Sequence, residues 1–203
     1  MKKVFVLDNK KLLITGFDPF GGETINPSWE AVRRLPDRIG AFTLTKLQIP
    51  TEFDRGAEMI LQAAREQNPD VILAIGQAGG RSGITPEVVA INLREASIAD
   101  NAGVQPQNAP VVPGGPDGYF TTVAVRDMVA AVRKKEIPST LSYSAGAFVC
   151  NDVLYTLLHH YAGTSTQVGF IHVPFLPEQA KEGVASLPLE KIVTALTAAI
   201  EAL

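Results

Sequence analysis

Cys150 is the only cysteine in the chain, and residues 142–160, SYSAGAFVCNDVLYTLLHH, set it where a helix is expected to begin. Ala145-Gly146-Ala147 reads as a small-residue turn, and Leu154, Leu157, Leu158 and Tyr161 recur beyond the cysteine at helical spacing. The thiol then lies in the first helical turn, beside backbone N–H groups without an intrahelical acceptor and at the positive end of the helix dipole. That position is expected to lower the thiol pKa, and the thiolate is the form that attacks carbonyl carbon. The opposing reading is a small buried hydrophobe, the commonest fate of a free cysteine. The partners of Cys150 have to decide between the two.

A cysteine hydrolase needs an imidazole within hydrogen-bond reach of sulfur, about 3 Å, and there are three histidines to choose from. His159 and His160 follow Cys150 on the same predicted helix, which at about 1.5 Å per residue carries them some 13 to 15 Å up the axis, out of reach. They suit a helix end, where imidazolium complements the negative dipole. His172 instead closes the apolar run Val168-Gly169-Phe170-Ile171, at the carboxyl end of a predicted strand. The third member, a carboxylate or amide that orients the imidazole, stays open on residue type alone. Glu87 opens the apolar run Val88-Val89-Ala90-Ile91, where burial without a partner is costly. Asp18, Asp100 and Asp152 compete with it.

The elements that position these groups alternate along the chain. Residues 11–15 read as a buried strand running into the Gly- and Pro-rich turn 16–22, and Asn26-Pro27 caps a helix with Trp29, Val32 and Leu35 on its apolar face. Phe42–Ile49 is a strand, and a helix is expected to open at Pro50-Thr51 and to carry Phe53, Ala57, Ile60, Leu61 and Ala64. Residues 70–75 form an apolar strand that exits into Gly76-Gln77-Ala78-Gly79-Gly80, and residues 85–93 form another. Residues 96–119 read as a long loop, either a lid over a site or an interface arm. A helix over 122–135, a short strand over 139–143, a strand over Gln167–Val173, a Pro-punctuated loop and a helix over 189–203 complete the chain. The pattern predicts one α/β domain spanning residues 1–203, a three-layer α/β/α sandwich on a mainly parallel twisted sheet. The turns at 17–22 and 77–80, Cys150 and His172 all follow predicted strands, the edge where such sheets hold their sites.

With 203 residues, 46% of them hydrophobic and 19% charged, the chain is large enough for a substantial core. A net charge of −3 without a Lys/Arg cluster argues against a nucleic-acid partner. The apolar start Met1–Leu7 is broken by Asp8-Asn9-Lys10-Lys11 too soon for a signal core or a membrane span, so a cytoplasmic protein is expected. One cysteine and three unpaired histidines offer no metal site, and no cofactor is implied.

Four stretches in order, TGFDPFGGETINPSWEAV, VILAIGQAGGRSGITPEVVAIN, SYSAGAFVCNDVLY and GFIHVPFLPEQ, closely resemble the pyroglutamyl-peptidase I family, also called pyrrolidone carboxyl peptidases, nearly end to end. The resemblance implies a cysteine exopeptidase that removes an N-terminal pyroglutamyl residue from peptides, on a phosphorylase/hydrolase-like fold. It implies the catalytic set Glu87, Cys150 and His172, and so selects Glu87 over the aspartates. It further implies a pocket for the pyroglutamyl ring shaped by Phe17, Phe20 and Gln77, no cofactor, and a homotetramer. Aromatic walls suit a neutral five-membered lactam that has no ammonium to pair. The chain departs from the family pattern Ala-Arg-Ile-Pro-Asp-Asn at Ala96-Ser97-Ile98-Ala99-Asp100-Asn101, where the arginine is missing, with Arg94 and Arg81 as candidate substitutes. Residues 1–9 extend beyond the family's usual start.

Two other functions fit parts of the pattern. Glycine-rich turns after strands can cradle phosphate, as in a nucleoside phosphorylase, although neither turn has dinucleotide or P-loop spacing. A binding protein that kept the fold and lost turnover would fit the missing arginine.

Overall fold

A computed structural model describes residues 9–203, so the expectations for residues 1–8 lie outside it. Three strands of the sheet carry apolar runs covered on both faces, while the strand Phe42–Ile49 leaves Thr45 and Gln48 exposed. β1 (Lys10–Phe17), β3 (Phe42–Ile49), β4 (Val71–Gln77) and β8 (Gln167–Val173) run parallel, in the order β2-β3-β1-β4-β8-β5. Two short antiparallel strands flank them, β2 (Arg38–Ile39) on β3 and β5 (Thr85–Pro86) on β8. Buried strands of this kind occur where helices cover both sides, and among the described residues five helices do so: α1 (Pro27–Val32), α2 (Arg55–Gln67), α3 (Val125–Arg133), α4 (Val149–His160) and α5 (Leu189–Glu201).

Side-chain alternation sorts the strand residues between two apolar clusters. Leu12, Ile14, Leu73, Ile75, Ile171 and Val173 meet α1, α3 and α5, while Leu13, Phe17, Ile72, Ala74, Val168 and Phe170 meet α2 and α4. By the same alternation Gly76 and His172, which are Cα partners, turn to the α2/α4 side. Helix α1 starts as expected, with Pro27 at its first turn and the Asn26 side chain accepting from Ser28 N–H. It lies so close to β1 that a Cβ at Gly16 would stand 2.6 Å from the Trp29 backbone.

Three expectations are corrected. Residues 85–93 do not form one strand: after Glu87, whose N–H still bonds Phe170 O, the chain leaves β8, and Val89–Ile91 (β6) pairs with Gly118–Phe120 (β7) in a separate two-stranded sheet. Residues 139–143 lie beside β5 without forming a strand. Ile84 N–H, Thr140 N–H, Ser142 N–H and Val88 N–H all bond across, but Pro86 has no N–H to give, so only bridges at Ser139 and Ser142 remain. The helix expected from Pro50 begins at Arg55 because Thr51 N–H is taken by the Asp18 carboxylate, which leaves Phe53 ahead of the helix.

The long loop lacks regular structure until β7, yet it is pinned. The buried Asp100 carboxylate accepts from the N–H groups of Phe53, Ala102 and Val104, and Asn101 donates to Asp18 Oδ1 and Pro19 O. Among the described residues no helix is long and apolar enough to cross a membrane.

Candidate active site

Cys150 is the second residue of α4, and the turn into the helix is formed at Gly146, whose φ of 79° suits glycine. Phe148 occupies the N-cap and its side chain accepts no hydrogen bond, so the first-turn N–H groups are not spent on a capping side chain. The thiol leans over β4. A Cβ on Gly76 would stand 3.0 Å from Cys150 Sγ and 2.7 Å from Phe170 Cζ, so only glycine leaves room for both. Because Gly76 is in register with His172, sulfur and imidazole lie over adjacent strand ends on one face of the sheet.

His172 is 3% exposed, and its Nδ1 lies 2.6 Å from Oε1 of Glu87, which is fully buried. A carboxylate acceptor fixes the proton on Nδ1 and leaves Nε2 as the ring's basic nitrogen. The competing acids are committed elsewhere. Asp18 holds Thr51 and Asn101, Asp100 holds its own loop, and Asp152 takes Arg94 Nε at 2.6 Å together with the Asp54 N–H. His159 and His160 end α4, where His159 Nδ1 meets the Tyr119 hydroxyl at 2.9 Å.

The electrostatics depart from expectation at the thiol. Burial, reinforced by the Glu87 charge and partly opposed by Arg81, pushes Cys150 up to about 12. A helix N-terminus supplies about 0.3 to 1 kcal/mol to an anion, too little to offset removal from water. By its exposed surface Cys150 is half-buried, and its surroundings hold the resting sulfur toward the thiol form, so a base is needed to take its proton. Burial drags His172 below the ordinary imidazole value, against the pull of Glu87. For Glu87, burial pushes upward, but the hydrogen bond and charge of His172, with Ser142 and Arg81, outweigh it and hold the carboxyl below its usual range. At neutral pH the site thus holds a neutral imidazole beside a carboxylate.

Of the residues expected to shape a ring pocket, Phe17 is 1% exposed and packs on Phe170 with ring centroids 6.2 Å apart, and Phe170 lies 4.8 Å from the His172 ring. Phe20 is part-exposed and faces Phe148 at 6.2 Å, which meets Phe53 edge-on at 5.3 Å. Sequence reasoning misses Phe148, for which the available signal is an aromatic two residues before the cysteine. Gln77 ends β4 and turns away from the thiol's face, toward the loop that carries Phe20. There its Oε1 accepts from Gln179 Nε2 at 3.1 Å, and Gln179 also donates to Ile25 O. Of the candidate substitutes for the missing arginine, Arg94 is held by Asp152 and Asp54, while Arg81 reaches Glu87.

Known proteins match along almost the whole chain. The family model described as pyroglutamyl peptidase covers residues 10–203. The pyrrolidone-carboxylate peptidase of Levilactobacillus brevis is 52% identical over 197 residues, 95% of this chain and 97% of the relative, and that of Thermococcus onnurineus is 48% identical over 188 residues, 91% and 94%. The crystal structure of pyroglutamyl peptidase I from Bacillus amyloliquefaciens superposes with a TM-score of 0.92 at 45% identity, covering 96% of this chain and 95% of the other. A mutant pyrrolidone carboxyl peptidase from Pyrococcus furiosus gives a TM-score of 0.90 at 38% identity, covering 95% and 97%. Neither the phosphorylase nor the binding-protein alternative is favoured by these matches, and the chain belongs to the pyroglutamyl peptidase family of cysteine peptidases.

Proposed function

We propose that the chain hydrolyses the bond after an N-terminal pyroglutamyl residue, with Cys150 as nucleophile, His172 as general base and acid, and Glu87 as the group that orients His172. The observation that carries this reading is the buried Glu87–His172 pair on the sheet face over which the α4 thiol leans. His172 Nε2 takes the thiol proton as sulfur attacks the pyroglutamyl carbonyl carbon. The resulting oxyanion meets the unspent N–H groups of the first α4 turn, including that of Cys150. The intermediate collapses as His172 returns the proton to the leaving amine, and a thioester remains on Cys150. A water deprotonated by His172 then attacks the thioester, the C–S bond breaks to release pyroglutamate, and the imidazolium returns the proton to the Cys150 sulfur. Glu87 stabilises the imidazolium formed at both stages.

Phe20 and Phe148 serve as part-exposed ring walls, Phe17 backs the site through Phe170, and Gln77 acts on the pocket from behind, through Gln179 and the loop that carries Phe20. An aromatic pocket with few polar groups takes a neutral lactam and disfavours an N-terminal ammonium, which would lose its hydration without a counter-charge. We also read residues 1–203 as one domain acting in the cytoplasm, where a lone thiol stays reduced, and, from the family resemblance, as a homotetramer; sedimentation of the purified protein tests the assembly.

The test of the reaction is release of a chromogenic amine from its pyroglutamyl amide under reducing conditions, before and after stoichiometric iodoacetamide. Turnover that alkylation abolishes is expected; a folded protein with a reactive thiol and no turnover overturns the reading. A second expectation concerns Gly76→Ala. The added methyl displaces Sγ or the Phe170 ring, and since misplacement by about 1 Å can cost about a hundredfold, steady-state kinetics should show kcat/KM reduced on that order while the protein still melts cooperatively.

A further inference from the structure

We infer that Arg81 is a positioning residue of the active site, one guanidinium that fixes both the carboxylate behind His172 and the loop that delivers Cys150. The inference rests on the peptidase reading of the site and adds a residue to it. Arg81 lies in the turn after β4. Its Nη1 stands 2.8 Å from Glu87 Oε1, the same oxygen that His172 Nδ1 approaches at 2.6 Å, and it also donates to the Thr85 hydroxyl. Its Nη2 donates to Ser144 O at 3.2 Å, in the segment leading to Cys150.

The sharing of one oxygen is informative. Glu87 Oε2 is buried without a hydrogen bond of proper geometry: the Ser142 hydroxyl lies close enough to help hold the carboxyl's charge, but it donates to Ser144 O at 3.2 Å. A carboxylate with one orphaned oxygen has reason to rotate, because turning would let the free oxygen find a donor. Arg81 and His172 together hold Oε1, and the rotation would break two charge-assisted bonds at once. The Arg81 side chain is 28% exposed while that of Glu87 is fully buried, so the cation closes the outer side of the pair and leaves the inner side to the imidazole.

The guanidinium has a second effect that a neutral donor would lack. The charged groups acting on His172 are Glu87 and Arg81, and the Cys150 thiol lies over the end of the neighbouring strand. Glu87 favours the imidazolium and Arg81 disfavours it, so Arg81 keeps His172 neutral and able to accept the thiol proton at lower pH than Glu87 alone would allow. Lysine would restore the charge, but not the planar fork that reaches Glu87 and Ser144 together.

The test uses the full-length protein with R81M and R81K, each checked for a cooperative melt, and reads both turnover and the imidazoles. Long-range proton–nitrogen NMR of the three histidines follows the rings without substrate, and loss of one signal in H172Q assigns His172. In R81M the Glu87–His172 pair is expected to take up its proton at higher pH than in wild type. The acid limb of kcat/KM should move the same way, and kcat should fall about tenfold to a hundredfold. R81K is expected to return the NMR midpoint toward wild type while kcat stays low. A folded R81M whose His172 midpoint and acid limb match wild type overturns the inference. Should wild type fail to release amine, the peptidase reading falls, and the NMR midpoints still decide whether Arg81 governs the pair.

Discussion

Cys150→Ala is expected to lower pyroglutamyl-amide turnover by at least about 10⁴-fold, the scale on which removal of a covalent nucleophile acts. Nothing else described at the site can take its place. The neighbouring hydroxyl of Ser142 is turned to Ser144 O, and the Thr85 hydroxyl is engaged by Arg81. Cys150→Ser should fare little better, because a serine hydroxyl is harder to deprotonate than a thiol and His172 is already a weakened base. Since Phe20 and Phe148 remain, both variants should still bind a pyroglutamyl amide. The check is single-turnover kinetics beside equilibrium binding of the uncleaved amide, with loss expected in the first and not in the second.

Glu87→Gln is expected to reduce kcat/KM by about 10²- to 10⁴-fold, through loss of the charge that stabilises the imidazolium. The amide is nearly isosteric, so its oxygen can still accept from both Nδ1 and Arg81, and its NH₂ falls where Oε2 now lacks a partner. What changes is the sign of the field at His172. Burial and Arg81 both lower the tendency of His172 to hold a proton and Glu87 raises it, so in Glu87→Gln nothing counters them. The acid limb of kcat/KM should therefore move to lower pH, opposite to its movement in R81M. Opposite shifts from two residues on one carboxylate oxygen would be hard to produce by general loosening, and pH profiles of the two variants measure them directly.

The sequence made the nucleophile and its base legible because both are local facts. Cys150 follows a turn and precedes a helical stripe, His172 ends an apolar strand, and rise per residue alone sets His159 and His160 aside. Phe42–Ile49 and Gln167–Val173 are readable with their observed bounds, the first from aromatic and β-branched residues between Gly40 and Pro50, the second from an apolar run. Glu87 was not readable from its surroundings. It reaches His172 through an antiparallel pairing of Thr85 and Pro86 across β8, and no period in the sequence encodes that contact. The same proline hid the state of residues 139–143, whose strand composition is real but whose neighbour lacks a donor. The thiol's electrostatics are not legible in the sequence because a dipole can be inferred from a helix start, whereas the packing around Cys150 and the nearby Glu87 charge exist only once the chain is folded. Arg81 and Arg94 could not be told apart by type; their partners, Glu87 for one and Asp152 with Asp54 for the other, lie on separate elements.

The account stands most directly on the acyl-enzyme. Acid-quenched samples taken during turnover of a pyroglutamyl amide, digested and weighed by mass spectrometry, should carry one pyroglutamyl group on the peptide that contains Cys150. The group should be removable by hydroxylamine as a thioester and absent from Cys150→Ala. Turnover that proceeds with no such adduct and survives alkylation of the thiol would contradict the account, because the amide bond would then be cleaved without Cys150.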